Sequence, residues 1–246
     1  MRDDRDGSLV IEATRGATSA QPTAKIIPFP SRRPSLSGSA TTTADDRAAI
    51  AATEAICTTL SARNSQHGPT LLAAMGALCG FAIQQMLLLD GGLSWAQPKR
   101  AEHLDRLLLS ETPRDSSLWF ALQAAAHGIG AQHLPDPNTL LQATLRCVGT
   151  TQFGLVTLPL EYKLLQQPQA TLCEIWASVS QTLRQDGVSA ALLPSTLIRA
   201  CALCVAKEQR HVPAHVALRI LMQSALAMAL IEPRTVPGAA LRSQVN

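Results

Sequence analysis

Charge is scarce in this 246-residue chain: Lys, Arg, Asp and Glu together make up 16% of it, against about 25% in an average soluble protein. Apolar residues make up 46%, so much of the chain must be buried against itself or against a partner. Aromatic residues are scarcer still, at 3% with a single tyrosine. That scarcity argues against sheets, since strands favour aromatic and β-branched residues, whereas the abundant Ala and Leu favour helix. A formal net charge of +3 gives no support for nucleic-acid binding, which needs a basic stripe on one element. Catalytic signatures are missing too. There is no Walker loop, HExxH, GxSxG or EF-hand pattern, and no carboxylate pair on an apolar face of the kind acid/base work requires. Glu102 and Asp105, with Arg106 beside them, read as a solvated surface. No catalytic residue and no cofactor is implied.

The N-terminus, MRDDRDGSLVIEATRG, has no apolar stretch resembling a signal-peptide core and is too acidic for a transit peptide. Six cysteines, Cys57, Cys79, Cys147, Cys173, Cys201 and Cys204, fall mostly inside apolar helical runs rather than at framework spacings. They read as reduced, buried, small hydrophobes. Together these features predict a cytoplasmic protein, in a bacterium or similar.

What is present reads as helix upon helix. Residues 1–46 are rich in Ser, Thr, Pro and Arg, with balanced charge, and predict a disordered tail that cannot bury enough surface to offset its ordering entropy. Within the tail, KIIPFPSRRP combines an apolar centre, stiffening prolines and flanking cations, the make-up of a short docking peptide. Residues 47–235 predict one all-α, bundle-like domain of about eight helices, and 236–246 a frayed end. Local signals punctuate it. Asp45-Asp46 opens a segment to about Arg63, and HGP at 67–69 starts the next. Pro98 leads into a helix with Leu104, Leu107 and Leu108 on one stripe, and Pro113 with Asp115 begins a helix running to HGIGAQHL. Asp136-Pro137 begins another, with Pro at a first-turn position. Thr171 and Glu174 have capping-box spacing for a helix that Gly187 ends. Pro194-Ser195 and Pro213 open the last two helices, and Pro233 stops the final one.

TLLAAMGALCGFAIQQMLLL, residues 70–89, holds no charge and is long enough to span a bilayer. Adjacent Gln84 and Gln85 point about 100° apart, so in lipid an amide would lack a partner. No cation cluster flanks the run closely. Leu71, Leu72, Met75, Leu78, Ala82, Ile83 and Met86 form a bulky face, while Ala73, Gly76, Ala77 and Gly80 form a small one. The GxxxG spacing of Gly76 and Gly80 permits close helix approach in water as in lipid. The expectation is a soluble core helix rather than a membrane segment. His215, Arg219 and Gln223 make a narrow polar stripe on the final helix, implying burial on its other sides.

CALCVAKEQRHVPAH is the sharpest cluster. Cys201 and Cys204 lie three apart and His211 and His215 four apart, both spacings that zinc ligands use. The six-residue spacer is about half that of a zinc finger, however, and the Cys pair lies in a run whose apolar face needs Ile198, Leu203 and Val205. No metal site is therefore assigned. In HGIGAQH, residues 127–133, His133 stands where a dinucleotide fingerprint needs its third glycine, and no strand precedes it. His127 and His133 read as helix-face histidines, and Gly128 and Gly130 as sites of close packing or a kink. Residues 150–169, TTQFGLVTLPLEYKLLQQPQ, have no helical period and predict an ordered, partly extended connection lying on the helices. Phe153 and Tyr162 there, with Trp119, His127 or Trp176, are the candidate walls of a ligand- or partner-binding site.

At FGLVTLPLEYKL and VALRILMQSALAMALIEP the chain resembles a group of proteobacterial proteins of unknown function that share a helical domain, an FG-x-x-x-LP connection and a terminal ALRI-x-M helix. The resemblance spans residues 50–235. It implies a helical fold and transfers no functional residues. The expected role is a non-enzymatic interaction, adaptor or regulatory protein with a protein partner or a second copy of the chain. The alternatives are a small-molecule-binding protein or enzyme with its site near 150–169, and a helical protein attached to a membrane through 70–89.

Overall fold

A computed structural model describes residues 44–61, 67–90, 98–112 and 116–239. The predicted tail, with its KIIPFP segment, lies outside these residues but for its last three, and so does the final stretch 240–246. The described residues form eight α-helices and no strand, so the all-α expectation holds. In chain order the helices are α1 (Ala44–Ser61), α2 (Gly68–Asp90), α3 (Pro98–Leu109), α4 (Leu118–Gly128), α5 (Pro137–Cys147), α6 (Pro168–Gln185), α7 (Leu193–Glu208) and α8 (Ala214–Leu230).

The apolar run is the axis of this arrangement. Every residue from Pro69 to Gln85 is buried, so α2 has no solvent face: its bulky and small sides each meet a neighbour. On the small side lies α8, its most extensive partner. A methyl group built on Gly76 would stand 3.0 Å from the Cα of Leu221, and one on Gly80 only 2.7 Å from the Cα of Ala225. One turn further on, the Gln84 side chain reaches the carbonyl of Ala229, 145 residues away in sequence. The three contacts climb both helices in step, so α2 and α8 run parallel, with glycine at two successive turns letting backbone meet backbone. Helix α7 packs the other way. Gly68 lies near Glu208 and Val212, and the Met75 carbonyl accepts from the Cys201 thiol at 3.6 Å. On a third side Phe81 meets Trp176 of α6 edge to face, ring centroids 4.7 Å apart at 89°.

Gln84 shows why a polar residue stands in this run. It is fully buried, and its Nε2 donates to the carbonyls of Ala229 at 2.9 Å and Ile231 at 2.6 Å. A helix leaves its last carbonyls without intrahelical partners, and here one amide serves the end of α8. Gln85 is also buried, and neither atom of its amide has a partner.

Several expected helix ends hold. The start expected at Pro113 and Asp115, which lie outside the described residues, falls instead at Leu118, capped by Ser117, whose hydroxyl accepts from the Phe120 amide at 3.1 Å; three further expectations change. Asp136 caps α5, accepting from the amides of Asn138 at 3.3 Å and Thr139 at 2.9 Å, with Pro137 in the first turn. The Thr139 hydroxyl, which also donates to it, and after that the Thr139 and Asn138 amides hold the Asp136 carboxyl below its ordinary range. Gly187, at φ +85°, closes α6. The Thr171–Glu174 capping box, however, does not form. Pro168 starts α6 three residues earlier, so Thr171 sits within the helix and bonds back to the Gln167 carbonyl at 3.2 Å, while Glu174 accepts from Gln166 at 2.8 Å. The helix expected to run to HGIGAQHL stops at Gly128. Gly130 has φ +83°, and neither glycine has a neighbour within reach of an added Cβ, so these glycines end a helix rather than tighten its packing. The third change is at the C-terminal end. In place of fraying from 236, Val236 is buried and Gly238 packs over Ala177.

The 150–169 segment is an ordered connection, as expected. Phe153, Val156, Leu158 and Tyr162 pack against the core, Gly154 turns beside Met228, and the Leu165 amide donates to Thr70 Oγ1 at 3.0 Å. Leu160 and Leu165 point outward.

Candidate interaction groove

Helices α3, α5 and α8 do not close fully on one another. Between them lies an apolar groove of about 410 Å³. From α3 come Ala101, Leu104 and Leu108, at helical spacing on one face, with Glu102 and Asp105 along the adjoining edge. From α5 come Leu141 and Leu145, and from the last turns of α8 come Leu226, Ala229 and Leu230. The groove's floor is buried core, but Leu145 on its wall is 43% exposed, and Val148, three residues further on, is exposed too. Glu102 and Asp105 are solvent-exposed.

The local origin of the groove lies in α5. That helix carries leucine on two faces: Leu140 turns inward and is buried, while Leu141 and Leu145, four apart, form a second apolar stripe that the fold only half covers. A helix resting on one core needs only one such stripe. The doubled stripe in NTLLQATLRCV is the signal of this groove that the sequence carries.

Two smaller clefts have a different character. One, of about 300 Å³, brings His133 and Gln132 from the α4–α5 connection beside His215 of α8 and Gln209. The other, of about 230 Å³, lies at the start of α7 and is lined by Ser195, Thr196, Arg199 and Asp186.

The residues singled out from the sequence lie elsewhere. Trp119 and Trp176 are buried at 2% exposure, and neither indole N–H has a partner. Phe153 and Tyr162 are half-buried against the core, and His127 is exposed at the end of α4. None of the five lines any of the three clefts. The Cys–His cluster is split. Cys201 and Cys204 are fully buried, whereas His211 and His215 are exposed on the α7–α8 turn and the start of α8. Leu203, expected on the apolar face of α7, points outward, and the two cysteines hold the inward positions with Leu197, Ile198, Ala200 and Val205. Burial pushes both thiols up from their ordinary 9.0, reinforced at Cys201 by the neighbouring Cys79 and at Cys204 by the neighbouring Cys201. Among the described residues, no three His, Cys, Asp or Glu side chains are grouped to hold a metal ion.

No family model, curated protein or solved structure matches this chain.

Proposed function

We propose that this chain is a non-enzymatic, cytoplasmic helical interaction protein, an adaptor or regulatory factor that receives a partner in the groove between α3, α5 and α8. The observation that carries this reading is Leu145, an apolar wall residue 43% exposed above an otherwise buried apolar floor. Contiguous apolar surface beside a concavity is where helical proteins take amphipathic segments of partners. Cytoplasmic residence fits the cysteines, all six of which are free thiols. A photo-crosslinking residue placed at Leu145, compared with one at exposed Gln181, tests the reading in cells of the natural source. A defined partner or a second copy captured at 145 and not at 181 is the expected result. Equal labelling at both positions, with a strict monomer by light scattering, would sink it.

A second reading, a small-molecule-binding protein or enzyme with its site near 150–169, draws support from the unpartnered indole N–H groups of Trp119 and Trp176, since buried donors ordinarily have partners. Native mass spectrometry of protein purified without detergent separates the two readings. A small added mass favours the ligand, and a bare chain or a protein complex removes it.

A further inference from the structure

We propose that Cys57 and Cys204 are a peroxide-responsive thiol pair, in which Cys57 takes up the oxidant and Cys204 closes a reversible disulfide between α1 and α7. This modification site is separate from the groove and does not depend on it.

The pairing follows from position. Helix α7 is the most extensive partner of α1. The Lys207 ammonium donates to Cys57 Sγ at 3.9 Å, which sets that sulfur against α7. Cys204 stands three residues before Lys207, one turn back on the same face. The two thiols lie close enough for the charge of Cys57 to act on Cys204. Small buried residues continue both faces, Thr53 one turn before Cys57 and Ala200 one turn before Cys204, and these let the helices approach closely. Access then divides the roles. Cys57 is half-buried and meets the oxidant, whereas Cys204 is fully buried and can only resolve what Cys57 becomes. The other two half-buried cysteines lack such a partner. Cys173 donates to the Thr235 carbonyl at 3.5 Å with Glu174 beside it, and Cys147 ends α5, whose main partner α8 carries no cysteine. Cys79 and Cys201 are neighbours, but both are fully buried, out of an oxidant's reach.

The chemistry balances with a peroxide as the one co-reactant. The Cys57 sulfur, its proton released, attacks a peroxide oxygen and the O–O bond breaks; the departing oxygen takes up a proton, leaving Cys57 as a sulfenic acid. The Cys204 sulfur then attacks the Cys57 sulfur, the S–O bond breaks, and the hydroxyl leaves as water with the Cys204 proton as the S–S bond closes. The sulfur pair loses two electrons and the peroxide gains them. A thiol reductant reverses the bond by exchange, and transient disulfides of this kind are the ones that occur in reducing compartments.

The test exposes the full chain, first reduced and freed of reductant, to hydrogen peroxide, blocks the remaining thiols with N-ethylmaleimide and maps every cysteine by mass spectrometry. The free thiols are expected to fall from six to four, the two lost appearing as a linked 57–204 peptide pair that dithiothreitol releases. Cys204→Ala should leave Cys57 as a sulfenic acid that dimedone captures, and Cys57→Ala should leave Cys204 a free thiol. Circular dichroism checks that both variants fold, and the wild-type map decides the matter even where one does not. Capture of Cys147 or Cys173 by dimedone as fast as Cys57, a Cys79–Cys201 bond formed first, or a Cys57–Cys57 bond between two chains would overturn the proposal. So would a wild-type chain that keeps all six thiols, or one that carries Cys57 on to the sulfinic acid without linking it to Cys204.

Discussion

A methyl group on Gly80 would stand 2.7 Å from the Cα of Ala225, so alanine there must push α2 and α8 apart along their whole contact. The helix-propensity gain of about 1 kcal/mol is outweighed by overpacking of about 1–3 kcal/mol and by lost contacts on either side. We expect Gly80→Ala to lower stability by about 2 kcal/mol in urea unfolding. Gly128→Ala, with open space around it, should leave stability unchanged or raise it by up to about 1 kcal/mol. Gln84→Leu keeps the volume but strips two carbonyls of their donor, for an expected loss of about 2 kcal/mol. Equal stability of Gln84→Leu and wild type would show that the amide does not serve the end of α8. The thiols give a pH dependence of definite sign. Cys201 and Cys204 keep their protons in the fold above the ordinary 9.0, whereas the unfolded chain releases them near that value. The unfolded state then binds fewer protons, so stability is undiminished below about pH 9 and falls as pH rises past it, by up to about 1.4 kcal/mol per pH unit for each thiol. A Cys201→Ala, Cys204→Ala double variant should show a flatter alkaline limb, and an unchanged limb would place the titration elsewhere.

Helix starts were legible in the sequence because they are local. Pro98, Pro137 and Pro194 each stand in or at the first turn of a helix, and Pro213 stands immediately before one. Proline's missing N–H and fixed φ act on its own residue and hardly need the rest of the fold. Where two local signals compete, the sequence does not rank them: Pro168 takes the start of α6 and leaves Thr171 and Glu174 other partners. Which side of a helix faces inward is a tertiary matter. The sequence placed Leu203 on the buried face of α7 by its chemistry, but the close approach to α2 favours Cys201 and Cys204, whose smaller side chains fit there. The groove is legible only in part: the doubled leucine stripe of α5 stands in the sequence, but where α3, α5 and α8 stop short of one another is set by the tertiary packing. Amide exchange should follow this hierarchy. The centre of α2, enclosed on every side, should exchange only through global unfolding, while the backbone around exposed Leu160 and Leu165 exchanges orders of magnitude sooner. Comparable protection in the two segments would contradict the central place of α2.

For the whole molecule, the alternative of attachment through 70–89 meets the burial of that segment. One helix among the described residues, Gly68–Leu89, is long and apolar enough to cross a membrane, with mean hydropathy 1.8, but 89% of that window is covered by the protein's own helices. We expect carbonate extraction to release the chain. Retention in the pellet would mean that α2 leaves α8 and α7 for lipid. The parallel pairing of α2 with α8 also bears on synthesis. Gly80 cannot meet Ala225 until the ribosome has added the 145 residues that end at Ala225, about 7–30 s at ordinary elongation rates. Throughout that interval the most apolar stretch of the nascent chain is without its covering helix, so the protein asks for a chaperone's shelter during translation that its finished form no longer needs.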